Sequence, residues 1–67
     1  MIISKQNRQL LADGGHVILW NPDLSDLYEI GQPESIEGIP LVVTNAAITH
    51  VGGQDWQRVT VRAINHA

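Results

Sequence analysis

Two adjacent glycines, Gly52 and Gly53, separate the longest strand-like stretches of the chain, Leu41 to Val51 and Trp56 to Asn65. Glycine accepts the backbone angles of tight turns, and β-branched residues and a tryptophan fill both flanks. The pattern predicts a long antiparallel hairpin closed by Gly52-Gly53-Gln54-Asp55. Pairing Val51 with Trp56 sets Ile48 opposite Val59, Ala46 opposite Val61 and Thr44 opposite Ala63. One face then gathers Val42, Ala46, Ile48, Val59, Val61 and Ala63, with Ile48 and Val59 as buried cross-strand neighbours. A bulge near Asn45 would alter the outer half of this pairing. The other face is mixed, with Val43, Val51, Trp56 and Ile64 among Asn45, Ala47, Thr49, Arg58, Thr60 and Arg62. A solvated face ordinarily carries more charge and fewer large apolar groups. Val43, Val51, Trp56, Arg58, Thr60, Arg62 and Ile64 are therefore the candidate interface residues.

Upstream of the hairpin, Ser4 to Asp13 reads as a short helix. Ser4 is a natural cap, Lys5 to Ala12 are mostly good helix formers, and Gly14-Gly15 ends the segment. A helix this short needs a surface to dock on. His16 to Trp20 reads as a buried strand bounded by Gly15 and Asn21-Pro22. Its apolar run is continuous, so periodicity does not assign its faces. Asn21-Pro22-Asp23 signals a turn, with Asp23 suited to cap one helical turn through Asp26. Leu27 to Ile30 leans towards a short strand. Gly31 to Gly38, punctuated by Pro33 and two glycines, reads as an exposed loop. The expected fold class is α+β, mostly β. A short N-terminal helix, one buried strand, an irregular acidic middle and a long C-terminal hairpin form a single small domain over residues 1–67.

Size then becomes a constraint. A chain of 67 residues buries only about 60% of its unfolded surface, which leaves stability marginal. There is no Cys, so neither a disulfide nor a thiolate metal site reinforces the fold. Phe is absent and Trp20, Tyr28 and Trp56 are the only aromatics, so the core must be aliphatic. Twenty residues are Ile, Leu or Val, which argues against intrinsic disorder. Self-association is the simplest way for so small a body to bury its remaining apolar groups.

Charge is segregated along the chain. All seven acids lie from Asp13 to Asp55, and the four bases lie outside: Lys5 and Arg8 before, Arg58 and Arg62 after. Complementary packing of the ends around the middle, in one chain or between chains, explains this more simply than an acidic docking surface. A net charge of −3 argues against nucleic acid as a partner, since phosphate binding needs a basic face. No apolar run approaches the roughly 18 residues of a membrane span. No charged-then-apolar leader is visible, so a cytoplasmic location is expected, or a virion if the gene is viral.

Chemistry-bearing patterns are sparse. His16, His50 and His66 have no recognised zinc spacing. Ser4, Ser25 and Ser35 lack the setting of a catalytic nucleophile. Asp23, Asp26 and Glu29 form a small acidic cluster that reads as a solvated turn. Gly52-Gly53 lacks the Lys-Ser/Thr of a phosphate loop. No catalytic residue, metal site or cofactor is expected, and the protein is not expected to be an enzyme. Trp56, beside Gln54 and Asp55, is suited to stack on a sugar or to anchor a protein contact.

In being short, cysteine-free and mostly β with one N-terminal helix, the chain is similar in character to small accessory proteins of bacteriophage and other mobile elements. No particular residue carries that likeness, and no site is transferred from it. The expected function is a non-catalytic interaction or structural module acting as a homo-oligomer through the mixed hairpin face. Its partner is a second copy or a larger protein. The alternatives are a carbohydrate- or peptide-binding module using Trp56, and a small acidic inhibitor of a larger complex. A competing account of the mixed face has the N-terminal helix folding over it, with Leu10 and Leu11 against Trp56. With no metal set expected, a chelator should leave the melting temperature unchanged. A shift of several degrees, reversed by zinc, would overturn that expectation.

Overall fold

The structure, a computed structural model, describes residues 3–64. The element order is α1 (Lys5–Ala12), β1 (His16–Asn21), β2 (Pro33–Ile36), β3 (Ile39–Val51) and β4 (Gln54–Ala63). The four strands form one antiparallel sheet in the order β1-β4-β3-β2. The chain is therefore α+β and mostly β.

The helix forms where the capping signals place it. The Ser4 hydroxyl accepts from the Asn7 N–H at 3.1 Å, and Asp13 closes the other end. Its buried residue is Leu11, which joins Ile3, Val17, Leu19, Leu41, Val43, Val59 and Val61 in an all-aliphatic core. The helix thus packs on the side of the sheet shown by the odd-numbered residues of β1 and β4. This inner side is not the side that carries Trp56. The account in which Leu10 and Leu11 cover Trp56 is corrected: Leu11 lies in the core and Leu10 is exposed.

The β3–β4 hairpin is present, but its turn is shorter than expected. Gly52 and Gly53 have φ of +60° and +80° and form a two-residue turn, so Val51 pairs with Gln54 and Thr49 with Trp56. Such left-handed turns match the twist of the flanking strands, and glycine adopts them without strain. Gln54 and Asp55 belong to the strand. Ala46 therefore faces Val59, and Ile48 faces Gln57. Slipping by two residues keeps each side chain on its own face but moves Ile48 past the end of the core. It is 54% exposed rather than buried against Val59.

A bulge at Thr44 then shifts the register, so Val43 pairs with Val61 and Leu41 with Ala63. The extra residue turns Leu41 and Val43 inward, where both are fully buried, and places Val42 opposite Arg62 on the outer side. Val42 had been expected inside and Val43 on the mixed face; one inserted residue exchanges them.

The expected loop over Gly31 to Gly38 contains β2, a short edge strand along β3. Its partners run from Pro33–Val42 to Ile36–Ile39, and Glu37-Gly38 makes its turn. Pro33 fits as the first residue of an edge strand, where no partner requires its missing N–H. Leu27 to Ile30, expected to lean towards strand, is irregular. The charge segregation finds its use at the Glu37 turn. The Glu37 carboxylate accepts the Ile3 N–H at 2.8 Å and pairs with Arg8 at 3.2 Å, tying the N-terminal segment to the acidic middle.

These burials predict opposite outcomes at two β3 positions. Leu41→Ala should cost about 2–5 kcal/mol of unfolding free energy, as buried leucine truncations do. Ile48→Ala should cost less than about 1 kcal/mol, since more than half of Ile48 is already in water. Urea titration of the two variants checks the ranking.

Candidate functional site

The outer face of the sheet is built by strand alternation. On β4 the even-numbered residues Trp56, Arg58, Thr60 and Arg62 point outward. β1 adds His16, Ile18 and Trp20 through the pairs His16–Arg62, Ile18–Thr60 and Trp20–Arg58. β3 adds Ala47, Thr49 and Val51 beside Arg58, Trp56 and Gln54. Among the described residues no helix or loop covers this face, since α1 and the segment from β1 to β2 both pack on the inner side. Ile18, Trp20 and Val51 are each about half exposed. At the hairpin tip, Trp20, Val51, Gly52, Gln54 and Trp56 line an open, mostly apolar cleft of about 420 Å³.

The electrostatics of the two sides differ. Arg58 and Arg62 lie on the outer face, and neither makes an ion pair among the described residues. No Asp or Glu occupies an outward strand position. Asp55 and Glu34 lie on the inward side of β4 and β2; Asp55 contacts His50 there at 2.7 Å.

The inner side beyond the core is closed by residues 22–32, which cross from β1 to β2. The Gln57 side chain holds this segment much as a strand would. Its carbonyl accepts the Tyr28 N–H at 2.9 Å, and its NH₂ donates to the Tyr28 carbonyl at 2.7 Å. Asn21 donates to the same Gln57 carbonyl at 3.0 Å and to the backbone carbonyls of Asp23 and Asp26. Both amides are buried, and no buried side-chain polar atom among the described residues lacks a partner. The segment reaches β3 through hydrogen bonds of Gly31 and Gln32 with Val43. The Asp23 carboxyl is held below the usual carboxylate value by the Ser25 hydroxyl and then by the Ser25 N–H. The acidic cluster is thus a hydrogen-bonded turn at its first residue.

Of the candidate interface residues, Val51, Trp56, Arg58, Thr60 and Arg62 share the outer face. Val43 does not, because the bulge puts it in the core. Ile64 follows the end of β4, half-buried, its N–H bonded to the Pro40 carbonyl at 2.9 Å and far from the hairpin tip. Ile18 and Trp20 also belong to the face, although their sequence pattern does not mark them for it. Their strand alternates exposed and buried residues, yet its outward positions are also apolar, which hides the period.

Among the described residues, no group of three His, Asp or Glu side chains converges as a metal site; His66 lies outside them. No described helix is long and apolar enough to cross a membrane. No protein-family model, curated protein or solved structure matches the chain.

The Gln57 clamp makes a prediction about the crossing segment. Gln57→Leu leaves the Tyr28 N–H and carbonyl without their partner and should cost about 1–3 kcal/mol, the penalty of a lost buried hydrogen-bond partner. Amide exchange should accelerate at Tyr28 well before it does at the core residues Val59 and Val61. Equal protection at Tyr28 in the variant would show that other contacts hold the segment.

Proposed function

We propose that the protein is a non-catalytic interaction module that self-associates through the outer face of its sheet. The observation that supports this most directly is an uncovered sheet face bearing Trp20, Trp56, Ile18 and Val51 on a chain of only 67 residues. Burial of such a face is worth roughly 25 cal/mol for each Å² of apolar area removed from water. Trp and Arg are the side chains most enriched at binding hot spots, and this face carries two of each. Each Trp brings a large apolar area with few rotatable bonds, so little entropy is lost on contact. A fold without disulfides suits a reducing cytoplasm as well as a virion, and we place the module in one of those settings.

The cleft between Trp20 and the hairpin tip favours one second reading, a sugar ring or peptide side chain stacked on Trp56. The two readings part in solution. Self-association gives a sedimentation coefficient that rises with protein concentration, and Trp56→Asp lowers it towards the monomer value. A wild type that sediments as a monomer at high micromolar concentration removes the assembly reading. Saturable quenching of tryptophan fluorescence by an oligosaccharide, in a chain that stays monomeric, would put the second reading in its place.

A further inference from the structure

We infer that copies of this chain associate head to tail: the cationic, tryptophan-bearing outer face of one copy seats on an apolar groove lined by Glu29, in the acidic crossing segment on the inner side of the next. The inference rests on the self-association proposed above and adds what the outer face meets.

The groove lies where the crossing segment rides over the hairpin. Leu27, Tyr28, Glu29, Ile30, Ile48 and Gln57 are among the residues that line it, with a volume of about 350 Å³. Leu27, Ile30 and Ile48 are 46%, 67% and 54% exposed, which makes this a second apolar patch on the far side of the sheet from the two tryptophans. The same segment carries Asp23, Asp26 and Glu29, none of which is in an ion pair among the described residues. The outer face has the opposite character: among the described residues Arg58 and Arg62 make no ion pair, and no carboxylate holds an outward strand position.

Charge complementarity chooses between the possible contacts. Outer face against outer face would bring together two surfaces that each carry Arg58 and Arg62 with no Asp or Glu among their described strand positions. Groove against groove would appose two copies of Glu29, each in a segment that also carries Asp23 and Asp26. Like-charge juxtaposition across an interface is strongly unfavourable. Only the pairing of unlike faces buries both apolar patches and matches both sets of charges. The chain measures 40 × 23 Å across its broad side, so a standard interface of roughly 800 Å² per partner would occupy most of one face. A contact between two different surfaces is heterologous, so it propagates into a ring or a filament instead of closing as a two-fold dimer.

The test uses two full-length variants, each with one disabled surface. Trp20→Glu disables the outer face, and Ile30→Lys disables the groove; both positions are solvent-exposed, and thermal melts verify that each variant folds. Val51→Asp replaces Trp20→Glu if the latter melts early. Each variant alone should sediment as a monomer. An equimolar mixture should form a heterodimer and nothing larger, because only one working outer face and one working groove remain. Wild-type assembly should weaken as NaCl rises from about 0.05 to about 0.5 M, since screening acts on the facing charges. If Ile30→Lys assembles like the wild type, or the mixture yields no heterodimer, the head-to-tail contact is wrong while self-association stands. A monomeric wild type removes both.

Discussion

One residue inserted at Thr44 determines which side chains of β3 become core. From the turn as far as Asn45, β3 pairs with β4 in the register set by Gly52-Gly53, and its inward residues are Ala46, Ile48 and His50. Continued unbroken, that register would aim Leu41 and Val43 outward with Ala47 and Thr49. The extra residue reverses the alternation, so Leu41 and Val43 meet Val59 and Val61 in the core. Leu11 on the helix and Val17 and Leu19 on β1 pack into that same cluster, and the inner side then has enough large apolar groups to hold a helix. The Thr44 hydroxyl bonds the Thr60 carbonyl at 3.3 Å, and the Asn45 side chain accepts the Ala46 N–H at 2.9 Å, so polar groups freed by the bulge find local partners. Everything packed on the inner side depends on this local break in pairing.

The inner side has more length to cover than one eight-residue helix can reach. The helix occupies the end near Ile39 and Ala63. The other end is covered by an irregular segment whose backbone polar groups need partners under partial burial. Gln57 and Asn21 supply them. A buried polar side chain normally weakens a core, but here each amide replaces the hydrogen bonds that a fifth strand would have made. The N-terminal segment is tied in a comparable way by Glu37, which holds φ at +51°, an uncommon angle for a residue with a side chain. That strain is tolerable because its carboxylate engages both the Ile3 N–H and Arg8.

Wherever a single local signal decided the outcome, the sequence was readable. Ser4 and Gly14 bound the helix, and Gly52-Gly53 marks the hairpin between two β-rich runs. The turn is shorter than the sequence suggests because Gln54 and Asp55 resemble turn residues, whereas two positive-φ glycines already suffice. β2 was hidden for a different reason. Pro-Glu-Ser-Ile has weak strand propensity, and it becomes a strand only because β3 offers it a free edge. The exchange of Val42 and Val43 could not be read at all from period-two patterning, since both are valine and only the bulge tells them apart. Within the site, the β4 members Trp56, Arg58, Thr60 and Arg62 were legible from alternation. Ile18 and Trp20 were not, because a strand that is apolar on both sides loses its period. The clamp by Gln57 left no sequence signal, since a buried glutamine looks like any polar residue of an exposed strand.

That double-sided apolarity of β1 also says why the two sides of the sheet differ. β1 is an edge strand, and an edge with apolar side chains on both faces invites further pairing or docking. The fold limits the first: β1 has only six residues and ends at Asn21-Pro22, while the opposite edge, β2, has four and begins with Pro33. A proline lacks an N–H to donate, and such short edges offer few hydrogen bonds to another chain. Edge-to-edge extension is thus a poor outlet for the exposed apolar area, which leaves the faces. Helix and crossing segment claim the inner face by direct contact with the aliphatic core. The buried members of that core are all Ile, Leu or Val. Strand alternation instead sets both tryptophans on the outer face, between the two arginines and the hairpin tip. The exposed apolar side chains are therefore divided between the outer face, with Ile18, Trp20 and Val51, and the crossing segment and hairpin on the inner side, with Leu27, Ile30 and Ile48, while short edges offer little backbone for indiscriminate strand pairing.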